Sequence, residues 1–155
     1  MEFATLLQEL GTDIGIANLS LDTDGQCALL FDGEHEVTFT PDREDHSLLM
    51  HCEVGRLSAQ DSDTCRKLMQ ASLLGAETGG SALSVHCGLD KIILWKRYDE
   101  DFVDLAALEQ AINAFLAQVI HWKERLAIQG TSAVTPAGME TLSQRDVMNN
   151  LGMFV

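Results

Sequence analysis

Several absences narrow what this chain can do. No apolar run approaches the roughly 18 residues of a membrane span. The opening Met1-Glu2-Phe3-Ala4 has neither the basic flank nor the long apolar stretch of a signal peptide, so a cytoplasmic protein without membrane insertion is expected. Cationic side chains are scarce: 10 Lys and Arg stand against 24 Asp and Glu, for a formal net charge of −14. Binding a nucleic-acid backbone needs Lys and Arg to displace counterions, and an anionic membrane surface imposes the same demand. Nucleic acid is therefore excluded as a partner. The charge either serves solubility or forms an acidic surface kept for a basic partner. The four cysteines, Cys27, Cys52, Cys65 and Cys87, contain no C-x-x-C pair and read as reduced thiols of a cytosol. The sequon Asn18-Leu19-Ser20 is then without consequence. No G-x-S-x-G or H-E-x-x-H occurs. The glycine-rich stretch Gly75 to Gly80 lacks the Lys-Ser/Thr of a phosphate loop and reads as a helix end followed by a turn.

What is present suits one compact domain. Hydrophobic residues make up 46% of 155, enough for a core without metals or disulfides. Phe3, Leu6, Leu7, Leu10 and Ile14 recur at helical spacing over residues 2–13, with Gly11 weakening the end. Alternation then predicts four strands: Ala17 to Leu21, Cys27 to Phe31, Glu36 to Thr40 (stopping at Pro41), and Leu48 to Val54. Asp22-Thr23-Asp24-Gly25 and Asp32-Gly33 supply turns, and an acidic loop runs from Asp42 to Asp45. Asp61 is the N-cap of a helix to about Leu74, with Cys65, Leu68, Met69, Ser72 and Leu73 as its apolar stripe. Strands Ala82 to Cys87 and Lys91 to Tyr98 follow, joined by Gly88-Leu89-Asp90. Asp104 caps a long helix to about Gln129, apolar along Leu105, Leu108, Ile112, Phe115, Leu116, Val119, Trp122 and Leu126, with Gly130 at its C-cap. The expected fold is α+β: an antiparallel twisted sheet with helices in the order α-β-β-β-β-α-β-β-α over residues 1–130. Residues 131–155 are expected to form a flexible or weakly helical tail.

Few clusters offer chemistry. His51-Cys52 and His86-Cys87 invite a metal or a thiol hydrolase, but strand alternation sends each His and its Cys to opposite faces, although the two histidines could meet across strands. Asp22 to Gly25 resembles the start of a calcium loop yet lacks the glutamate at loop position twelve. Asp99-Glu100-Asp101 reads as a solvated run before a helix N-terminus, Trp122 as core and His121 as surface. No catalytic residue, cofactor or metal is expected. The stronger signal is apolar surplus. Leu30, Leu49, Ile93 and Trp95 lie opposite the core faces of their strands, so either a second layer such as the long helix covers them or they form a dimer or partner surface.

The ordered set of these elements resembles the class I type III secretion chaperones of the Tir chaperone (CesT) family. The resemblance is carried by Leu6-Leu7 to Leu10, Ile14-Gly15-Ile16, Leu19-Ser20-Leu21-Asp22, Cys27-Ala28-Leu29-Leu30-Phe31-Asp32 and Val54-Gly55-Arg56-Leu57. It continues through the helix from Asp61, Glu77-Thr78-Gly79-Gly80 and the long helix ending in Trp122. It implies a small acidic cytosolic homodimer without enzymatic activity. Such a dimer binds the N-terminal segment of one or more secreted effectors in extended form and keeps it competent for a secretion ATPase. By position, Leu6, Leu10, Leu29, Phe31, Val37, Phe39 and Leu49 are the effector-binding candidates; Leu68, Met69, Ser72, Leu73, Ile93 and Trp95 are the dimer-interface candidates. Ordinary core packing is the competing role for Leu10, Phe31 and Leu68. Ser72 stands where many relatives have Asn, and Tyr98-Asp99 where many have Pro. A same-fold regulator that sequesters a secretion or transcription regulator is the alternative, which the closing Gly152-Met153-Phe154-Val155 resembles weakly. A thiol or histidine hydrolase using Cys87 and His86, or Cys52 and His51, is the third possibility.

Overall fold

In the computed structural model, residues 2–42, 44, 46–57, 61–86, 88–99 and 102–129 are described. The first helix, α1 (Phe3–Asp13), leads through a loop into a three-stranded meander, β1 (Cys27–Phe31), β2 (His35–Asp42) and β3 (Ser47–Arg56). Helix α2 (Ser62–Ala71) and a single 3-10 turn (Leu73–Gly75) precede the hairpin β4 (Ala82–His86) and β5 (Lys91–Tyr98). The long helix α3 (Leu105–Gln129) completes the described fold. The sheet is antiparallel throughout, with strand order β1-β2-β3-β5-β4, so β1 and β4 are its edges. The α+β sheet-and-helix architecture is as expected, with one strand fewer. The expected tail, 131–155, lies outside the described residues.

The missing strand is Ala17 to Leu21. Its alternation is real, and Leu19 and Leu21 do pack against the core. The backbone turns instead of extending: Asn18 adopts φ 60°, and Ile16 N–H bonds back to the carbonyl of Gly11 at 2.7 Å. Gly11 permits this return, because a Cβ there would lie 2.6 Å from Cβ of Leu19 and 2.9 Å from the Ile16 carbonyl. Its lack of a side chain is therefore a packing requirement, and α1 continues past it to Asp13. The following turn is fixed by Asp22, whose Oδ1 accepts from the N–H groups of Asp24 and Gln26 at 2.9 and 2.8 Å.

Pro41 does not end β2, which runs on to Asp42 with Pro41 opposite Leu48. Both expected caps are present. Thr64 N–H donates to Asp61 Oδ1 at 2.9 Å, and Ala107 N–H donates to Asp104 Oδ1 at 2.9 Å. Asp61 is fully exposed, and its bonds to Thr64 hold its carboxyl below the ordinary aspartate range. Helix α2 stops at Ala71 rather than near Leu74, because Leu74 takes a left-handed conformation with φ 55°. The loop that follows closes tightly: a Cβ on Gly75 would meet Cα of Gly80 at 2.6 Å. Glu77 pairs with Arg125 at 2.9 Å, and Lys96 Nζ donates to the Gly79 carbonyl at 3.1 Å, so Gly75 to Gly80 is fastened to α3 and β5 as a structural turn.

One core lies on one face of the sheet. Leu6, Leu7 and Leu10 of α1 and Leu108, Ile112, Phe115, Val119 and Trp122 of α3 meet Leu29, Val37, Phe39, Met50, Cys52 and Leu94. Phe3 stacks on Phe39 with centroids 6.3 Å apart, and Tyr98 Oη donates to the Ala111 carbonyl at 3.2 Å. Burial raises the pKa of the Tyr98 phenol. Helix α2 sits beside β4, where Leu83 N–H donates to Ser72 Oγ at 2.8 Å. Cys52 is sealed in this layer, and desolvation pushes its thiol pKa up to about 12. Burial, aided by Asp22, also raises that of Cys27. Among the described cysteines the half-buried Cys65 is thus expected to react first with a thiol reagent at pH 8, with Cys27 and Cys52 protected until unfolding. Timed alkylation with peptide mapping checks this. Native Cys52 keeps its proton up to about pH 12 while the unfolded thiol loses it near 9, so its contribution to stability is lost as pH rises through that window.

Candidate functional site

Alternation along each strand defines a second face. It carries Ala28 and Leu30 of β1, Thr38 of β2, Leu49, His51 and Glu53 of β3, Lys91, Ile93 and Trp95 of β5, and Ala82, Ser84 and His86 of β4. The long helix packs on the other side, through Leu126 against Gly55 and through the buried stripe above. It does not cover the apolar surplus. Leu30 is 61% exposed, and Leu49, Ile93 and Trp95 are half-buried. Trp95 is held upright by its Nε1–H, which donates to Ser84 Oγ at 2.8 Å. Buried Lys91 is matched by Glu53 at 2.7 Å, with Arg56 of the same strand 3.6 Å from that carboxylate.

His51 lies in the middle of this face, opposite Thr38 on one side and Trp95 on the other. Desolvation lowers its pKa. The unfolded imidazole takes a proton near pH 6.5 while the native one resists, so stability falls as pH drops through 6.5. Replacing His51 with Gln should flatten the decline of melting temperature between pH 7 and 5.5, which scanning calorimetry would show. The two histidines do not meet. His86 stands opposite Lys91 and His51 opposite Trp95, four positions apart along β5, or about 13 Å. Among the described residues no cluster of His, Cys, Asp and Glu can hold a metal ion. Cys87 lies outside them.

The six interface candidates divide. Leu68 is core, and Ser72 is bonded to Leu83. Met69 and Leu73 are exposed at 76% and 65%, joined by Leu74 at 96%. The buried side of α2 is Leu68 and Ala71, so the expected stripe was rotated. Helix α2 lies beside edge strand β4, and Ile93 and Trp95 stand on the neighbouring strand β5, opposite Ser84 and Ala82. Of the effector candidates, Leu6, Leu10, Leu29, Val37 and Phe39 are core, because their shared periodicity points them at α3. Phe31 and Leu49 retain exposure. Leu74 was missed as a surface residue because nothing in its immediate sequence signals the left-handed turn.

These features have counterparts in known proteins. The Tir chaperone protein (CesT) family matches residues 5–123. The Tir chaperone of Escherichia coli O157:H7 is 24% identical over 108 residues, covering 70% of this chain and 69% of that protein. The fold is similar to a chain in the ExsC–ExsE complex, with a TM-score of 0.67 and 23% identity over 80% of this chain and 96% of the other. It is also similar to one in the HopA1–SchA chaperone–effector complex, with a TM-score of 0.64 and 18% identity over 77% and 91% of the two chains. The family match runs from the first turns of α1 to the last fully buried turn of α3, across the whole sheet and its core. The chain therefore belongs to the class I type III secretion chaperones of the Tir chaperone (CesT) family.

Proposed function

We propose that this chain is a cytosolic homodimeric chaperone, without catalytic activity, that holds the N-terminal segment of one or more secreted effectors in extended form. It keeps that segment soluble and presents it to the secretion ATPase. One observation carries this beyond family membership: after α1 and α3 have filled the core, the sheet leaves Leu30, Leu49, Ile93 and Trp95 on its uncovered face and, among the described residues, no strand beyond the edge of β1. Met69, Leu73, Ile93 and Trp95 form the dimer seam around β4, with Ser72 and Leu68 supporting it from behind. Phe31, Leu30 and Leu49 offer apolar anchorage to a client, and a client strand can extend the sheet at β1. An extended client loses ordering entropy on binding, which keeps its release possible.

Co-expression with the first 100 or so residues of an effector, a span on the order of a wrapped segment, should bring that fragment into the soluble fraction as a complex with two copies of this chain. A monomer by light scattering that captures no secreted protein from secreting cells overturns the proposal.

A further inference from the structure

The open edge of β1 has an unusual electrostatic setting. Residues 1–42 contain nine Asp and Glu and not one Lys or Arg. Two turns bracket the strand: Asp22 and Asp24 immediately before it, Asp32 and Glu34 immediately after. Glu36 stands directly across from Leu30 on the uncovered face. All five carboxylates are exposed. Among the described residues, Lys123 reaches this corner from α3: its Nζ donates to the Glu34 carbonyl at 2.9 Å and lies 3.0 Å from Nδ1 of the buried His35. It touches none of the five carboxylates in these contacts.

Between the acidic ends the edge is neutral and apolar. Ala28 and Leu30 project from the uncovered face, with Leu30 exposed. Among the described residues, no backbone hydrogen bond from another segment reaches Cys27 to Leu30 on the side away from β2. Gln26, just before the strand, is buried, and among the described residues its Nε2 has no hydrogen-bond partner.

We propose that the β1 edge takes an extended peptide segment with an apolar centre and Lys or Arg at both ends. The inference rests on the effector-binding role above and specifies the charge of the client segment that it leaves open. Five residues of β1 span about 17 Å. A guest strand of that length pairs its backbone with β1 and sets an apolar side chain beside Leu30. Its terminal cations then fall against Asp22 and Asp24 at one end and Asp32 and Glu34 at the other. Like charges at those ends would be repelled, so the brackets select register as well as sign.

The test uses the full chain, labelled with 15N, and three synthetic decapeptides that share a Val/Thr alternating centre and differ only in two flanking Lys, Gln or Glu residues at each end. The Lys-flanked peptide should shift the amides of residues 22–34 and bind roughly tenfold tighter than the Gln-flanked one, with the advantage shrinking as salt rises from 50 to 500 mM. A variant carrying Asp24→Asn, Asp32→Asn, Glu34→Gln and Glu36→Gln keeps Asp22 for the turn and suits the left-handed Asp32 position. With an unchanged melting temperature, it should lose that advantage. Equal binding of Lys- and Gln-flanked peptides, shifts confined to other elements, or no binding of the Lys-flanked peptide overturns the inference. In each of those cases, capture of an effector fragment by the chain leaves the chaperone role standing. Failure to capture any effector fragment removes that role separately.

Discussion

Replacing Phe39 with alanine is expected to destabilise the fold by about 3–5 kcal/mol, the range for deleting a fully buried phenylalanine. Phe39 has no exposed surface, stacks on Phe3, and sits in β2 opposite Cys27 and Met50. Removing its ring opens a cavity that α1 and the sheet share. A domain of this size has only about 5–15 kcal/mol of stability, so the change consumes a large part of it. The melting midpoint should fall by roughly 10–20 °C. The result also separates two roles for one residue: a client anchor would weaken effector capture and leave the melting point alone. Phe39→Ala should do the reverse at temperatures where the variant stays folded. Leu49→Ala, on the uncovered face, should weaken capture with little thermal cost. Calorimetry and co-purification on the same two variants decide the matter.

The second large effect concerns association. Trp95→Ala should weaken self-association by about 2–4 kcal/mol, or roughly 30- to 1000-fold, as for a tryptophan at the centre of an interface. The indole is half-buried and pinned by Ser84, so little ordering entropy remains to be lost when a second copy covers it. Sedimentation equilibrium across a dilution series reads the change directly. Leu68→Ala is the contrasting variant: it should lower the melting point through the core and leave the association constant of the folded chain nearly unchanged. If Trp95→Ala associates like the parent chain, the seam lies elsewhere.

The elements were largely legible because period and caps agree. The α3 stripe, the Asp61 and Asp104 caps and the β4–β5 hairpin are each encoded by several neighbouring residues pointing the same way. Ala17 to Leu21 failed for a nonlocal reason. Its alternation is also what a folded-back loop needs to drop Leu19 and Leu21 into the core, and only the contact with Gly11 separates the two outcomes. The same ambiguity limited the site. Leu29 and Leu30 are adjacent leucines; one is core and the other exposed, and parity identifies the pair without naming the face. On α2 the expected apolar stripe differs from the buried side, which is Leu68 and Ala71: Ala71 is small enough to be overlooked as a core residue, and Met69 and Leu73 of the stripe stand exposed. The acidic bracketing of β1 is readable in the sequence once the strand's position at the edge is known, but edge position is a property of the whole sheet.

The strand order has a consequence for the chain during its own synthesis. The middle of the sheet is the β3–β5 pair, whose strands are separated in sequence by α2, a closed turn and β4. When Arg56 has left the ribosome, the β1-β2-β3 meander can form, but β3 then ends it with Leu48, Leu49, Met50 and Cys52 along a raw border. That border stays open until Tyr98 has emerged, and α3, which seals the core, arrives later still. At about 5–20 residues per second this interval lasts several seconds. For that time a protein destined to shield the unfolded segments of others is itself an unfinished sheet, and it is most exposed to aggregation where the finished molecule is best packed.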